Sequence, residues 1–252
     1  MSLRHWNSGG RAAVALHCSL AHAGAWGGLA AALPDWAITA PDLPGHGRAA
    51  DLAPGQDLHD MATDIGLAAL RAVGPADLIG HSFGGTVALR LALEHPDLVR
   101  GLVLMEPVLF SILRGEPEYD DFAKGYAEVD AAIDGAPAQA AALFHGVWGH
   151  GDFANLPAAQ QSYMKDRMAL VRAQNPVLLE DRPGLVVPGR LEALDIPVLL
   201  LEGGKSPPVI AAIQTRLAAR LPRARRVVVP GAAHMLPVTH AAEVAEAISA
   251  SL

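Results

Sequence analysis

The sequence predicts an open, mostly parallel, doubly wound α/β sheet that carries a helical insert. Six short runs are apolar throughout rather than alternating, as expected for parallel strands buried on both faces. Segments with helical spacing separate the first four runs, which gives the alternation of strand and helix typical of such a sheet. Between about residues 108 and 193 this alternation stops, which predicts an insert.

The strand-like runs lie at residues 12–18, 36–42, 76–82, 101–107, 197–203 and 225–231. The segment AWGGLAAAL is expected to form the helix before the second strand. LHDMATDIGLAALRAV, with Met61 and Ile65 at helical spacing, precedes the third, and TVALRLALEH precedes the fourth. Each connection is thus a crossover helix between parallel strands.

The insert contains two amphipathic segments, EYDDFAKGYAEVDAAI and PAAQQSYMKDRMALVRA. Their apolar positions follow helical steps and comprise Phe122, Tyr126, Val129 and Ile133 in the first, and Met164, Met168 and Val171 in the second. Packing onto the main domain is the simplest explanation of these stripes. We expect a core of residues 1–107 and 194–252 and a helical cap of residues 108–193.

Composition restricts the partners and the compartment. The chain has 252 residues, of which 51% are apolar, and its 19 basic against 26 acidic side chains give a net charge of -7. Without a basic patch, nucleic acid and an anionic membrane are not expected partners. A single cysteine, Cys18, excludes an internal disulfide, and neither a signal peptide nor a membrane-spanning run is recognisable. We expect a cytoplasmic protein, and the sequence leaves its oligomeric state open.

The motif Gly80-His81-Ser82-Phe83-Gly84 marks a candidate nucleophile. It ends a predicted strand and opens a predicted helix, and a serine in such a turn stands at the edge of the sheet. The flanking glycines remove Cβ atoms that would clash in a sharp turn. A serine hydroxyl needs a neighbouring base, and His234, in the loop after the last strand, is the best placed of the 11 histidines. His81 is expected to be structural.

With these motifs the chain resembles the α/β-hydrolase family. The matching segments, in the family's order, are LHCSLAHAGAW, APDLPGHGRA, GHSFGG, LLLEGGKS and VPGAAHM, and the insert lies where the family has its cap. The resemblance implies an oxyanion hole formed by the backbone amide of Phe83 and by an amide of the loop after His17. In that loop Ser19 is the expected donor and Leu20 the alternative. Relatives usually have glycine where this chain has Cys18, which is expected to be a small buried filler. Asp42 is expected to organise its loop.

The triad acid departs from the common pattern of the family. Relatives commonly carry Asp where this chain has Ser206, and a serine cannot hold the charge that stabilises a histidinium. Some members take the acid from the end of the strand after the nucleophile helix, where this chain has Glu106. Because the carboxyl ends of parallel strands meet at one edge, Glu106 is expected to lie near Ser82 and His234. Glu202 is the rival acid, and a purely structural Glu106 is the third option.

We expect a serine hydrolase that cleaves a small or medium, largely apolar carboxylic ester through an acyl-enzyme, without cofactor or metal. The residues expected near the substrate are mostly apolar and include Leu20, Phe110, Trp148 and Met235, with Leu109 and Leu236. A lactonase, a carbon–carbon bond hydrolase and a cofactor-free perhydrolase remain alternatives, as does a non-catalytic ligand-binding protein. The GGKS stretch lacks the earlier glycine of a phosphate-binding loop, and the histidine pairs 17/22 and 145/150 are weak metal signals.

Overall fold

A six-stranded sheet forms the centre of the protein in the computed structural model, which describes residues 2–252. Its strands are β1 (Leu3–Leu16), β2 (Trp36–Pro41), β3 (Ala76–His81), β4 (Val99–Met105), β5 (Val198–Gly203) and β6 (Ala224–Val229). Their order across the sheet is β2-β1-β3-β4-β5-β6, and the pairs from β1–β3 to β5–β6 are parallel. Each predicted run overlaps one strand, so the mostly parallel α/β architecture is confirmed.

The first strand begins at Leu3, earlier than the predicted residue 12. The prediction missed the early part because it is an exposed edge without an apolar run. Residues 3–6 pair in antiparallel fashion with residues 38–41 of β2, Leu3 lying opposite Pro41. Residues 12–14 instead run in the same direction as residues 37–39, so β2 is paired along both edges. Asn7 and Gly10, with positive φ angles of 58° and 46°, allow the chain to turn between these two parts.

The sheet is covered by side-chain cores on both faces. Neighbouring residues of a strand belong to opposite cores, as Leu78 and Ile79 in β3 and Leu104 and Met105 in β4 show. All four side chains are fully buried. This arrangement explains why the strands are apolar throughout: alternate side chains of a strand point to opposite faces, and here neither face is open to solvent.

Helices pack around the sheet and over its carboxyl edge. They are α1 (Gly27–Ala32), α2 (Leu58–Val73), α3 (Phe83–Glu94), α4 (Pro117–Gly135), α5 (Pro137–Trp148), α6 (Ala158–Asp166), α7 (Met168–Arg172), α8 (Asn175–Leu178), α9 (Pro208–Arg220), α10 (Leu236–Thr239) and α11 (Ala241–Ser249). Short 3-10 helices span Ala23–Trp26, Pro96–Leu98, Phe110–Leu113 and Phe153–Asn155. None of the helices among residues 2–252 combines the length and the apolar character needed to cross a lipid bilayer.

Local sequence signals set the ends of α2 where they were predicted. The Asp57 side chain accepts hydrogen bonds from the backbone amides of His59 at 2.8 Å and Asp60 at 2.9 Å, which caps the helix start. The helix ends before Gly74, whose φ of 87° is easily adopted only by glycine.

The segment between β4 and β5 contains helices α4 to α8 and no strand. Val129, Ile133, Met164, Met168 and Val171 pack together in a small core of their own. Most of the apolar residues predicted at helical spacing therefore pack against one another within the insert rather than against the main sheet. Phe122 is the exception, since it packs against the main core. The division into core and cap at residues 108 and 193 stays a prediction.

The segment 157–173, expected to be one helix, is broken at Arg167. There the backbone φ of -117° and ψ of 10° separate α6 from α7. The Arg167 side chain donates from Nε to the Gly45 carbonyl oxygen at 3.0 Å and lies over the Tyr163 ring. The break thus places a long basic side chain against a loop of the main domain, a contact that helical spacing alone does not reveal.

Three buried histidines predict that the fold loses stability in acid. Burial lowers the pKa of His17 and of His59 to about 3 and that of His46 to about 4, against the ordinary value of 6.5. Between pH 6.5 and 4 the unfolded chain binds more protons at these positions than the folded protein does. The free energy of unfolding therefore decreases as the pH is lowered. Each of these histidines lowers the free energy of unfolding by up to about 1.4 kcal/mol for each unit by which the pH is lowered.

We therefore expect the Tm, measured by calorimetry, to be lower at pH 5 than at pH 7.5 by at least about 5 °C. A His59→Gln variant, which removes one of the three groups, should show a smaller difference. An equal Tm at the two pH values would contradict this account.

Candidate active site

Ser82 lies in the sharp turn between β3 and α3. Its backbone φ of 56° and ψ of -121° lie in a region that L-amino acids rarely adopt. A Cβ atom added at Gly84 would come within 2.3 Å of the Leu16 carbonyl oxygen, and one added at Gly80 within 2.5 Å of the Gly84 oxygen. The two glycines therefore allow the turn that presents the serine hydroxyl at the carboxyl edge of the sheet.

The strained backbone at Ser82 predicts that glycine stabilises the fold at this position. Glycine adopts positive φ without the steric cost of a Cβ atom, but it increases the entropy of the unfolded chain. Relief of about 1–3 kcal/mol of strain should leave a net gain of about 1 kcal/mol for Ser82→Gly, or a Tm higher by about 2–4 °C. Ser82→Ala, which loses the same hydroxyl but keeps the strain, is the matched control for thermal unfolding followed by circular dichroism. A Ser82→Gly protein that melts below Ser82→Ala would contradict the assignment of strain.

His234 lies in the loop between β6 and α10, and its Nε2 atom is 3.0 Å from Ser82 Oγ. His81 supports this loop, because its Nε2–H donates to the His234 carbonyl oxygen at 2.8 Å. Burial, together with the neighbouring His234 ring, lowers the pKa of His81 well below its ordinary value. His81 is therefore neutral, and its contact fits the structural role expected for it.

Glu106 follows directly after β4 and is fully buried. Its Oε2 atom accepts a hydrogen bond from His234 Nδ1 at 2.7 Å. Its Oε1 atom accepts from the Gly203 amide at 2.6 Å and from Ser206 Oγ at 2.5 Å. Three donors thus compensate the burial of this carboxylate, which would otherwise be costly. The structure brings Glu106 together with Ser82 and His234, as the sequence predicts.

Ser206, where relatives commonly have the acid, thus donates a hydrogen bond to the candidate acid Glu106. The rival Glu202 is engaged elsewhere: its Oε1 atom accepts from Arg226 Nε at 2.8 Å and Nη2 at 2.5 Å. Burial raises the pKa of the Glu202 carboxyl, although the Arg226 charge opposes that effect. The contacts of Glu202 therefore support a structural ion pair rather than a role beside His234.

Backbone strain is concentrated at this edge of the sheet. Among residues 2–252, five non-glycine residues have positive φ angles, and three of them are Leu20 (58°), Ser82 (56°) and Glu106 (47°). Such conformations cost free energy and persist where the surrounding structure enforces them, often at functional sites. The candidate nucleophile, the candidate acid and the loop of the expected oxyanion donors therefore each include a residue in an unfavourable conformation.

Of the expected oxyanion donors, Phe83 follows Ser82 in the chain and Ser19 lines the same cavity as Ser82. Phe83 is the first residue of α3, so its amide has no acceptor within the helix. Ser19 and Leu20 belong to the loop after β1, which His17 anchors. The Leu43 amide donates to His17 Nε2 at 3.0 Å, and His17 Nδ1–H donates to the Cys18 carbonyl oxygen at 2.8 Å. The loop is thus fixed by an imidazole that burial keeps neutral.

Two side chains near this loop have roles of different kinds. Burial raises the pKa of the Cys18 thiol to about 12, so it is protonated at neutral pH, as expected for a small filler. Gln174, which the sequence analysis did not single out, accepts a hydrogen bond from Ser19 Oγ at 2.8 Å. Gln174 lies between α7 and α8, and no sequence motif marks it. Its contact with Ser19 joins positions 155 residues apart and therefore could not be inferred from neighbouring residues.

Asp42 organises its loop as expected. Its carboxylate accepts hydrogen bonds from the amides of Ala23 at 2.8 Å and Arg48 at 3.0 Å. A Cβ atom at Gly47 would lie 2.4 Å from the Asp42 carboxyl carbon, so glycine is required there.

A cavity of about 650 Å³ opens above Ser82 and His234. Of the predicted substrate-pocket residues, Leu20, Trp148 and Met235 line it. The Trp148 ring, from α5, lies 4.7 Å from the His234 ring between centroids, so the insert covers the candidate triad. Further lining residues from α5, α6 and the segment between them are Phe144, His145, Leu156, Tyr163 and Met164.

Phe110, also predicted to lie near the substrate, does not line this cavity. It stacks on Phe122 with 3.8 Å between ring centroids and borders a separate narrow space beside Ser82. Leu109 and Leu236 are fully buried in the two main cores, so they pack rather than contact substrate. The apolar character of these residues was visible in the sequence, but the face on which each one lies was not.

Hydrogen bonds account for two of the four histidines in these pairs. His17 binds backbone groups, and His22 Nδ1 accepts from the Gly24 amide at 3.0 Å. Within residues 2–252, no group of three or more His, Cys, Asp or Glu side chains is arranged to hold a metal ion.

Comparisons with known proteins agree on one family and one fold. Residues 13–247 match the model of the alpha/beta hydrolase family. The chain is 31% identical over 214 residues to a pimeloyl-[acyl-carrier protein] methyl ester esterase of Neisseria meningitidis, covering 82% of this chain and 78% of that protein. It is 36% identical over 141 residues to lipase LipV of Mycobacterium tuberculosis, which covers 50% of this chain and 52% of the lipase. An alpha/beta hydrolase structure from Sphaerobacter thermophilus has a TM-score of 0.72 at 21% identity, covering 98% of this chain and 95% of that one.

Proposed function

Because the chain belongs to the α/β-hydrolase family and is a serine ester hydrolase, we propose that Ser82, His234 and Glu106 are its catalytic triad. The proposed substrate is a small or medium, largely apolar carboxylic ester. The continuous run of hydrogen bonds from Glu106 through His234 to Ser82, at 2.7 and 3.0 Å, carries this proposal. The run ends at the mostly apolar cavity of about 650 Å³, a size that suits such a substrate.

The proton positions follow from the acceptors. An ionised carboxylate only accepts hydrogen bonds, so His234 carries its proton on Nδ1 and leaves Nε2 free as an acceptor. Nε2 takes the Ser82 proton while Oγ attacks the ester carbonyl carbon. Glu106 keeps the imidazole in this tautomer and stabilises the imidazolium that forms.

The negative charge on the carbonyl oxygen is proposed to be met by two backbone amides. Phe83 supplies one at the N-terminus of α3, where the helix dipole also favours a negative charge. Ser19 supplies the other from the loop that His17 and Gln174 hold in place. Each such donor contributes about 3 kcal/mol to stabilisation of the transition state.

The second half of the reaction regenerates the enzyme. His234 Nε2–H gives its proton to the leaving alkoxide oxygen, and the alcohol departs from the acyl-enzyme. Water then gives a proton to Nε2 and attacks the acyl carbon. The bond from that carbon to Ser82 Oγ breaks, Oγ takes the proton back from Nε2, and the carboxylic acid departs. The cycle uses residues of this chain and water, so no cofactor or metal is part of the proposal.

The non-catalytic alternative was motivated by the serine at position 206. The contacts of Glu106 remove that motive, because a carboxylate is hydrogen-bonded to His234 without an acid at 206. Lactone hydrolysis, carbon–carbon bond hydrolysis and peracid formation are outcomes that a substrate survey distinguishes. The cytoplasmic location and the exclusion of nucleic acid stay predictions from composition.

Covalent labelling tests the proposal directly. A fluorophosphonate probe should label the folded protein once, and mass spectrometry of peptides should place the label on Ser82. The same preparation should hydrolyse p-nitrophenyl acetate, and labelling should abolish this activity. Fresh protein that neither hydrolyses the ester nor takes up the probe would contradict the proposed function.

A further inference from the structure

Ser82 stands between two spaces of very different size. One is the cavity of about 650 Å³ already described, and the other is a space of about 20 Å³, called here the narrow crevice. The residues that line the crevice but not the cavity are Val108, Phe110, Tyr126, Val171, Gln174 and Leu178. Since a water molecule needs about 10–15 Å³ on this measure, the crevice has room for one or two non-hydrogen atoms.

The position of His234 determines which part of an ester enters each space. The leaving oxygen must lie within hydrogen-bond distance of His234 Nε2, because this atom protonates it. His234 borders the large cavity together with Met235, Val238 and Thr239, whereas it does not border the crevice. The alcohol portion therefore leaves through the large cavity, and the crevice is on the acyl side of the reacting carbon.

On the premise of the proposed ester hydrolysis, we infer that the narrow crevice is an acyl-binding subsite for acetyl or propanoyl groups. The substrates are then short-chain acyl esters of bulky alcohols, and the alcohol lies in the large cavity. The acetyl group places one carbon beyond the carbonyl carbon and the propanoyl group places two, which matches the size of the crevice.

The walls of the crevice resist widening. Phe110 is buried, stacks on Phe122 at 3.8 Å and lies 6.1 Å from the Trp148 ring between centroids. A longer acyl chain would have to separate this aromatic cluster, and close-packed interiors yield little to such a change. The size limit is therefore set by packed side chains rather than by a surface loop.

Gln174 gives a second, independent reason to expect that the crevice excludes long acyl chains. It is 2% exposed, its Oε1 atom accepts from Ser19 Oγ, and its Nε2 atom has no protein hydrogen-bond partner. A long saturated acyl chain in the crevice would bury this N–H donor against hydrocarbon, which costs free energy. An acetyl group fills one of the two atom positions and leaves room for a water molecule beside the amide.

Esters with one leaving group and different acyl lengths test the inference. With 1-naphthyl acetate, hexanoate and octanoate, we expect kcat/KM for the acetate to exceed that for the octanoate by at least about 100-fold. Phe110→Ala should raise the hexanoate-to-acetate ratio by at least about 10-fold, because it opens the crevice. Val108→Ala, a smaller change at the same wall, should raise the ratio in the same direction if the first variant does not fold.

Leu156→Ala is the matched control, since Leu156 lines the large cavity and not the crevice. Its hexanoate-to-acetate ratio should stay within about twofold of the wild-type ratio. Octanoate cleaved as fast as acetate, or methyl octanoate preferred over 1-naphthyl acetate, would overturn the inference while leaving ester hydrolysis intact. Failure on every ester together with failure of fluorophosphonate labelling would instead overturn the proposed function.

Discussion

Replacement of Ser82 by alanine is expected to lower kcat for ester hydrolysis by about a million-fold, the effect known for the loss of a triad serine. Without the hydroxyl there is no nucleophile and no proton for His234 to take, so no acyl-enzyme forms. The substitution leaves the φ of 56° and the two supporting glycines unchanged, and the Tm should stay close to that of the wild type. Substrate binding should also persist, because the cavity keeps its shape.

The measurement is the steady-state rate with 1-naphthyl acetate, compared with the background rate in buffer. The absence of covalent labelling by a fluorophosphonate provides the control for traces of wild-type enzyme. Activity of Ser82→Ala within about tenfold of the wild type would show that another group is the nucleophile.

The second large effect is expected for Glu106→Gln, which should lower kcat by about 10³–10⁴-fold. The Gly203 amide and Ser206 Oγ donate to Oε1 and so fix the oxygen of the new amide on their side. The amide nitrogen then faces His234 Nδ1 and donates to it. The imidazole is forced into the tautomer with its proton on Nε2, and it cannot accept the Ser82 proton.

Glu202→Gln is the matched control, because it removes a buried carboxylate of the neighbouring strand that pairs with Arg226. Its kcat should remain within a few-fold of the wild-type value, although its stability should fall with the lost ion pair. A pH–rate profile distinguishes the two: lower kcat at every pH is expected for Glu106→Gln only. Equal losses in both variants, or full activity of Glu106→Gln, would contradict the assignment.

Much of the fold follows from the sequence because its signals are local. Strands buried on both faces need continuous apolar runs, and each of the six predicted runs overlaps a strand. The start of β1 was missed because residues 3–6 form an exposed edge, where pairing with β2 replaces burial as the source of order. The break at Arg167 was missed because a contact with Gly45, far away in the sequence, decides it.

The residues of the candidate site also fall into two groups, those that sequence motifs and sheet topology predict and those that only the packing of the insert determines. Ser82 is marked by glycines that a sharp turn requires within a few residues, and His234 by its place after the last strand. Glu106 was inferred from sheet topology, since the carboxyl ends of parallel strands meet at one edge. Gln174 was missed, and the sequence did not show which of the two spaces beside Ser82 Phe110 borders, because the packing of the insert determines this.

A crystal structure of the protein with a phosphonate bound covalently to Ser82 tests the central claim most directly. The decisive quantity is the distance between the Glu106 carboxylate and His234 Nδ1 in that adduct. We expect a hydrogen bond of about 2.6–3.0 Å, with Ser206 Oγ on the other carboxylate oxygen. A Glu106 side chain beyond hydrogen-bond distance of the imidazole, with another carboxylate in its place, would contradict the account.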